Sequence, residues 1–262
     1  MDYETLIYEK EGEVGILTYN RPRTVNAVNK QMLEELYDFW IARQRDFATR
    51  VIIVTGAGEK GFCSGLDMKA VATEFAPEGG PTGASTWEGQ IHFSVIMRLM
   101  RSCPQPVIAA VGGAAIAGGF DLTLMCDIRY ASEKAKFGQR EIVLTLNPLL
   151  DPLWRIIGLG AARELALTGR IIDAAEAFRL GYVSKVFPTG EVVESVTKIA
   201  REMAAYDRDC LAETKQLSIS VLDQSMDTAM KTLEWLFRTY IGAQDNKDRI
   251  EALQEMLKKR GR

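Results

Sequence analysis

The stretch from Ala109 to Leu122 reads AAVGGAAIAGGFDL, and we expect the fold to be organised around it. It continues an apolar run from Pro106 to Val111 that is typical of a strand. Four glycines follow within eight residues, and the next segment has a helical pattern with Asp121 on its first turn. Glycine permits close approach of the backbone, and the first amides of a helix lack intrahelical partners. The stretch therefore predicts a turn that presents backbone N–H groups to an anion, or to an oxygen that becomes one.

A second glycine-bearing turn favours this interpretation over the alternative, in which the glycines only let a buried helix pack closely on a sheet. A pattern typical of a strand buried on both faces, Val51 to Val54, is followed by the run TGAGEKGFCSGLD at 55–67. Two strands that each end in a glycine turn can direct their amides at one point. A thioester carbonyl held between two such donors enolises more easily, because each donor stabilises the developing oxyanion by about 3 kcal/mol.

Length and composition predict an α/β protein with a large core and exclude several classes of function. The chain has 262 residues, of which 47% are hydrophobic and 26% charged, and its net charge is −3. It lacks a basic stripe with interleaved aromatics, so we expect no nucleic-acid partner. The most apolar span, about Val107 to Cys126, is interrupted by four glycines and Asp121, which argues against a membrane helix. The residues after Met1 are unlike a secretory leader, and four scattered cysteines are typical of a reducing, cytoplasmic compartment.

The chain has one histidine, His92, within a helical pattern that runs from about Trp87 to Met100. A histidine metal site or a Ser-His-Asp triad would depend on this one residue, which we interpret as structural or exposed; we predict no metal site. Proton transfer then falls to carboxylates. One candidate is Asp121, and the other is Glu141, which follows a strand pattern and has apolar neighbours of the kind that raise a carboxyl pKa. Ordinary solvated carboxylates are the alternative interpretation of both.

Periodicity predicts a mixed order of strands and helices along the rest of the chain. A hairpin begins it, a helix capped by Asn29 follows, and later strands alternate with helices. From Leu211 onward the pattern is helical, which suggests a C-terminal helical subdomain. The predicted strands include 5–8, 14–19, 127–131 and 183–186, and the predicted helices include 153–167, 173–180 and 192–204.

Six motifs, in order along the chain, resemble those of the crotonase (enoyl-CoA hydratase/isomerase) superfamily. Each motif alone is weakly specific, but their order is informative, and the match covers about residues 5 to 190 with a compatible helical tail. The motifs are Asn20-Arg21-Pro22 with Asn26-Ala27, GFCSGLD at 61–67, AGGFDL at 117–122 with CDIR at 126–129, AKFGQRE at 135–141, LTGR at 167–170 and GYVSKV at 181–186.

The resemblance implies an α/β fold, a crotonase-like spiral of ββα repeats with a C-terminal helical subdomain. We assign residues 1–195 to the spiral core, with the coenzyme A site and the active site, and residues 196–262 to a C-terminal helical oligomerisation region. Members of the superfamily bind acyl-CoA thioesters, use no metal or redox cofactor, and assemble as homotrimers or homohexamers. The implied partner is thus an acyl-CoA thioester, and coenzyme A enters only as part of that substrate.

Carried over by position, the resemblance also implies the site residues. The two amides that hold the thioester oxygen are those of Leu66 and Gly118. Glu141 exchanges the proton at the carbon next to the thioester, and Asp121 holds and activates the added water. The residues implied along coenzyme A are Arg23, Thr24, Val25, Ser64, Asp67, Met68 and Lys69, with Arg23 and Lys69 as phosphate partners.

Two departures from the family pattern bear on the reaction. Asp121 is one methylene shorter than the glutamate of the hydratases, which withdraws its oxygens by about 1.5 Å. An aspartate here is similar to the dienoyl-CoA isomerases, which carry another aspartate where Leu149 stands, with Asp151 close by. The loop NPLLDPLW at 147–154 is shorter than the usual glycine-rich segment and lacks its Gly-Gly-Thr. It predicts a reshaped floor of the acyl pocket, with Trp154 either a wall of that pocket or a core residue.

The leading hypothesis is hydration of a 2-enoyl-CoA to a 3-hydroxyacyl-CoA. Within the superfamily, isomerisation of an enoyl- or dienoyl-CoA is the alternative, followed by hydrolysis of a CoA thioester or of a carbon–carbon bond. From another class, Gly56, Gly58 and Gly61 fit the dinucleotide fingerprint G-x-G-x-x-G, but that fingerprint opens into a helix, whereas 62–65 has a turn pattern. A CoA-binding or scaffold protein without catalysis is the remaining alternative.

Overall fold

The computed structural model describes residues 2–70, 93–242 and 251, and the chain divides into two compact units, Met1–Lys215 and Gln216–Arg262. His92 and the predicted start of its helix at Trp87 lie outside the described residues. The strands are β1 (Leu6–Glu11), β2 (Val14–Tyr19), β3 (Val51–Gly56), β4 (Gly61–Cys63), β5 (Val107–Val111), β6 (Ala114–Ile116), β7 (Ile128–Ser132), β8 (Lys136–Gly138), β9 (Ile172–Asp173) and β10 (Lys185–Phe187).

The helices alternate with these strands until β10, after which the described chain is helical. They are α1 (Lys30–Arg43), α2 (Met68–Ala70), α3 (Phe93–Ser102), α4 (Gly118–Leu124), α5 (Leu153–Ile157), α6 (Leu159–Thr168), α7 (Ala174–Arg179), α8 (Val192–Ala204), α9 (Arg208–Ser220) and α10 (Met226–Gly242). Short 3-10 turns cover Pro22–Thr24, Glu141–Leu144 and Val221–Asp223. Asn29 caps α1 as predicted, since its side chain accepts a hydrogen bond from the Met32 amide.

Two sheets organise the first unit. The larger has the order β1-β2-β3-β5-β7-β10; β1 and β2 form the predicted antiparallel hairpin, and the other neighbours are parallel. The smaller has the order β4-β6-β8-β9, in which β4, β6 and β8 are parallel. Three times a strand of the larger sheet leads into a strand of the smaller one, and a helix comes next: β3–β4–α2, β5–β6–α4 and β7–β8–α5. The chain therefore has the ββα spiral that the resemblance implies.

The central strands of the larger sheet are buried on both faces, as is usual for parallel strands. Along β3, Ile52 and Val54 join one apolar cluster with residues of α1, α3 and α4, while Val51 and Ile53 join a second cluster with residues of α8. The boundary expected between residues 195 and 196 falls inside α8. Because one face of α8 is buried against the sheet, this helix belongs to the first unit, which runs on to Lys215.

The strands β4 and β6 of the smaller sheet were not predicted, since the sequence pattern at 62–65 and after Val111 indicates turns. β4 and β6 have three residues each, which is too short for an alternating pattern to appear. They form because they pair with each other, Gly61 opposite Ala114 and Cys63 opposite Ala115. The predicted helix at 153–167 is also divided, at Gly158, whose φ of 82° lies outside the helical region.

Gly119 lies where α4 crosses β4, and we predict that the fold requires a glycine there. A Cβ at this position would lie 2.0 Å from the backbone oxygen of Cys63. We expect Gly119→Ala to lower the free energy of unfolding by about 3 kcal/mol, because one of two backbone segments must move. The matched control is Gly160→Ala in α6, where a Cβ meets open space and stability should stay the same or rise by up to about 1 kcal/mol. Urea unfolding of both variants measures this, and equal stability of the two would contradict the packing described.

Candidate active site

The two glycine turns meet. A Cβ on Gly65 would lie 2.9 Å from the Gly118 nitrogen and 3.2 Å from the Cβ of Ala117, and Gly65 itself has a φ of +90°. Both a close approach and a left-handed backbone therefore require glycine at this point. The turn after β4 and the turn after β6 thus lie in direct backbone contact, with Leu66 following one and α4 beginning at the other.

Both amides named for the oxyanion are without a backbone acceptor. Within the described ranges, neither the Leu66 nor the Gly118 N–H donates to a carbonyl: the bridge to Val28 uses the Gly65 carbonyl and the Asp67 amide instead. Two N–H groups left unpaired in adjacent turns are what an oxygen with developing charge requires.

Ala117, which precedes Gly118, holds a strained backbone conformation. Its φ of 50° and ψ of −128° are disfavoured for a residue with a Cβ. The strain is held by hydrogen bonds on both sides, since its amide donates to the Gly138 carbonyl at 2.8 Å and its carbonyl accepts from the Asp121 amide at 3.0 Å. Strained backbone of this kind is concentrated at functional sites. Here it lies at the residue that turns the Gly118 amide out of the smaller sheet.

Asp121 and Glu141 are both buried carboxyls near these turns. Burial, and then repulsion from Glu141, raises the pKa of Asp121 to about 8, although a hydrogen bond from Gln139 opposes the shift. Burial also raises the pKa of Glu141. In the part of the chain that the structure describes, the Glu141 Oε2 atom has no hydrogen-bond partner. The structure therefore brings together two acids that retain protons unusually well, one of them with an unsatisfied oxygen.

Gln139 joins this pair, although it was not identified from the sequence as a site residue. Its Nε2 donates to Asp121 Oδ1 at 3.4 Å and to the Leu149 carbonyl at 2.5 Å, while its Oε1 has no partner among the described residues. The residue is buried and stands two positions before Glu141. Gln139 lies in the same motif as Glu141, AKFGQRE, and this could have indicated a role in the site. The backbone after β8 is irregular, however, so sequence spacing does not predict which side chains lie on the same side.

The segments implied for coenzyme A also come together. The Ser64 amide donates to the Val25 carbonyl at 3.0 Å, and its hydroxyl donates to the Thr24 carbonyl at 3.1 Å. Arg23 is exposed in the 3-10 turn, and so are Met68 and Lys69 at the start of α2. These exposed side chains lie in sequence on either side of the paired segments 24–25 and 64–66, the second of which ends with Leu66.

The Asp67 side chain is engaged within the protein. Its carboxylate accepts from both terminal nitrogens of Arg21 at 3.1 Å, and from the Lys69 amide at 3.2 Å. Asn26 ties down the same loop, because its Nδ2 donates to the Ala57 and Gly61 carbonyls at 3.0 Å. Arg21 and Asn26 belong to quoted motifs but had no role assigned from the sequence; they clamp the loop that carries Leu66. Both the side chain and the amide of Asp67 are thus engaged within the protein, since the amide donates to the Val28 carbonyl at 2.9 Å.

The loop after Glu141 bears on two interpretations made from the sequence, namely Trp154 as a core residue and an additional acid at or near position 149. Asp151 is paired with Arg155 at 3.1 Å and accepts from the Trp154 indole nitrogen at 3.3 Å. The side chain of Trp154 is 38% exposed and has the Arg155 guanidinium over its ring, so the interpretation of Trp154 as a core residue is wrong. Leu149, at the position of the isomerases' additional aspartate, packs against the core. Neither place therefore supplies a third carboxyl to Asp121 and Glu141.

Two further features concern the residues that the structure describes. They contain no group of three His, Cys, Asp or Glu side chains placed to hold a metal ion. They also contain no helix with the length and apolar character that crossing a membrane requires.

Comparison with known proteins gives consistent matches along the chain. The model of the family described as enoyl-CoA hydratase/isomerase matches residues 9–261. The crotonyl-CoA hydratase of Syntrophomonas wolfei is 36% identical over 98% of this chain and 98% of its own, and the short-chain-enoyl-CoA hydratase of Clostridium acetobutylicum is 34% identical over 100% and 98%. The crystal structure of an enoyl-CoA hydratase from Bacillus anthracis superposes with a TM-score of 0.88 at 31% identity, covering 98% of this chain and 97% of that one.

The buried carboxyl of Asp121 predicts a pH-dependent stability. Its pKa is 3.8 ordinarily and about 8 in the folded protein, so between these values the folded state holds a proton that the unfolded state has released. The contribution of Asp121 to stability is therefore fully present below about pH 4 and is lost as the pH rises through about 8. We expect Asp121→Asn, which cannot ionise, to gain stability relative to the wild type over that range. Urea unfolding across this pH range measures the difference; a difference that stays constant with pH contradicts the burial described.

Proposed function

The chain belongs to the enoyl-CoA hydratase/isomerase family, and from that premise we propose that it adds water to a 2-enoyl-CoA thioester to form a 3-hydroxyacyl-CoA. One observation carries the proposal. Two buried carboxyls, Asp121 and Glu141, interact with each other near two touching turns whose Leu66 and Gly118 amides have no backbone acceptor among the described residues. Hydration of a conjugated thioester needs both parts, because charge develops on the carbonyl oxygen while one proton leaves water and another reaches carbon.

The two amides hold the thioester oxygen in this proposal. As the water oxygen adds to C3, the C2=C3 double bond shifts its electrons toward the carbonyl and an enolate develops. The Leu66 and Gly118 N–H groups donate to that oxygen and lower the barrier, by about 3 kcal/mol for each donor in comparable sites. They are fixed before the reaction by the backbone contact between Gly65 and Gly118, so little reorganisation is needed.

The two carboxyls move the protons. Hydration uses the form of the pair that carries its proton on Glu141: Asp121, as the carboxylate, takes a proton from water while the C3–O bond forms, and Glu141, as the acid, delivers a proton to C2. Because burial raises both pKa values and the two groups repel when both are charged, we expect the pair to keep one proton at neutral pH. With that proton on Asp121 and with Glu141 ionised, the same pair is ready for the reverse reaction, loss of water.

The alternatives receive less support. An isomerase would use the same two carboxyls without water, and the short side chain of Asp121 is what favours it; the additional acid of the dienoyl-CoA isomerases is lacking, because Asp151 is paired with Arg155. A hydrolase with a cysteine nucleophile would use Cys63, the cysteine on the loop before Leu66. Burial raises the pKa of that thiol to about 12, so it is not ionised at neutral pH.

The names of two relatives support the proposed substrate, and the resemblance to the superfamily supports the proposed assembly. We propose short 2-enoyl-CoA thioesters as substrates, with Arg23 and Lys69 near the phosphates of coenzyme A, which is the only cofactor required and enters as part of the substrate. Two of the relatives are named for crotonyl-CoA and for short-chain enoyl-CoA. A homotrimer or homohexamer in the cytoplasm is the assembly and location that the family and the four free cysteines favour.

Crotonyl-CoA provides the test. We expect the wild-type protein to convert it to a product heavier by one water, and Glu141→Gln or Asp121→Asn to lower kcat by about 10²- to 10⁴-fold, the usual contribution of a general acid or base. Glu133→Gln, on the exposed turn after β7, is the matched control and should act as the wild type. Mass spectrometry in deuterated water identifies the product. A moved double bond without added water, or full activity in both carboxyl variants, contradicts the proposal.

A further inference from the structure

The short helix α4, which carries Asp121, is held by buried polar groups that the proposed reaction does not use. All seven residues of α4 are buried, and one of them, Thr123, has a hydroxyl. A helix of this length leaves its last carbonyls without partners inside the helix. The residues that donate hydrogen bonds to these carbonyls therefore fix the position of α4 and of the Asp121 carboxyl on it.

Arg129 holds the C-terminal end of α4. Its Nη1 donates to the Cys126 carbonyl at 2.6 Å and to the Thr123 carbonyl at 3.3 Å, while its Nε donates to the Tyr182 carbonyl at 2.8 Å. The side chain is buried, and no carboxylate among the described residues forms an ion pair with it. The described hydrogen bonds of this buried guanidinium all go to carbonyls, and it also lies over the Tyr182 ring, 5.4 Å from the centroid. Its planar fork of donors fixes geometry, and its charge suits a helix C-terminus.

Tyr182 holds one face of the same helix. Its ring is stacked on Phe120, with centroids 4.7 Å apart and planes within 3°, and it meets Phe137 edge-on at 5.3 Å. The hydroxyl of Thr123 lies 2.7 Å from the Phe120 carbonyl and 2.5 Å from the Tyr182 hydroxyl, and the Tyr182 hydroxyl lies 3.5 Å from the same carbonyl, so the three groups share one set of hydrogen bonds. Tyr182 thus contacts Phe120, immediately before Asp121, and Thr123, two residues after it.

We propose that Tyr182 and Arg129 are positioning residues that set the place of Asp121 toward the added water, an inference that rests on the proposed hydratase function. Asp121 is one methylene shorter than a glutamate, so its helix must stand close enough for the carboxylate to reach. A displacement of about 1 Å in a reacting group can reduce the rate 100-fold. Both residues hold α4 from Phe120 onward, whereas the Gly118 amide at its N-terminus is held by the Ala117 hydrogen bond to Gly138 and by the contact with Gly65, so we expect the dependence to be confined to the chemistry of water.

The test separates the step at water from the step at carbon. Tyr182→Phe keeps the stacked ring and removes one hydroxyl. We expect kcat for hydration of crotonyl-CoA to fall about 10-fold with KM changed by less than about twofold. Exchange of the C2 protons of butyryl-CoA in deuterated water depends on Glu141 and the two amides, and should remain close to the wild-type rate. Tyr130→Phe, whose ring packs beside Phe187 against the second cluster, is the matched control and should change neither rate.

A second variant tests the route through Thr123. Thr123→Val removes the hydroxyl that is paired with Tyr182, with little change in volume, and we expect the same split between hydration and exchange. The double variant should hydrate no more slowly than Thr123→Val alone, since both changes break the bond between Thr123 and Tyr182. Wild-type hydration in Tyr182→Phe, or equal losses of hydration and exchange, overturns the inference. A wild-type protein that hydrates nothing overturns the proposed function itself, which is a different result.

Discussion

The contact between the backbones of Gly65 and Gly118 is the constraint on which the rest of the site depends. It requires β4 and β6 to pair, with a register shift between Gly61 and Cys63, and it requires α4 to start at a strained Ala117. It also explains the role of Arg21 and the buried Asn26, which hold the segment that ends in Leu66. The chain thus uses local strain and a short second sheet to place two amides side by side, a geometry that regular sheet edges do not provide.

The buried carboxyl pair opposes stability and serves chemistry. Taking Asp121 and Glu141 out of water disfavours their charged forms, and the pairing with Gln139 compensates only in part. Groups that are perturbed in this way, with oxygens left unsatisfied, are typical of sites where protons are moved. The larger sheet, closed on both faces by apolar clusters, supplies the stability that tolerates them.

Much of the fold was predictable because its long elements have clear periodicity, whereas contacts set the rest. The apolar strands β3 and β5, and α8 with its bounds, follow from pattern alone, and the glycine turns indicate where amides gather. The three-residue strands β4 and β6 carry no pattern and form only through pairing, with each other and, for β6, with β8. Gln139 and Tyr182 were missed because their roles depend on neighbours 18 and 59 residues away in sequence. The expected boundary at 195/196 falls within α8 because a helical sequence pattern does not show which element the helix packs against; the first unit runs on to Lys215.

The central claim is that two backbone amides polarise a thioester carbonyl, and the carbonyl stretching frequency of the bound substrate tests it most directly. Infrared difference spectra of crotonyl-CoA labelled with carbon-13 at the carbonyl, bound to the Glu141→Gln variant to prevent turnover, isolate that one bond. We expect the C=O stretching frequency of the bound thioester to be lower than that of the same thioester in water, since two fixed N–H donors draw charge onto the oxygen. A frequency equal to or higher than that in water, with the substrate bound, would contradict it.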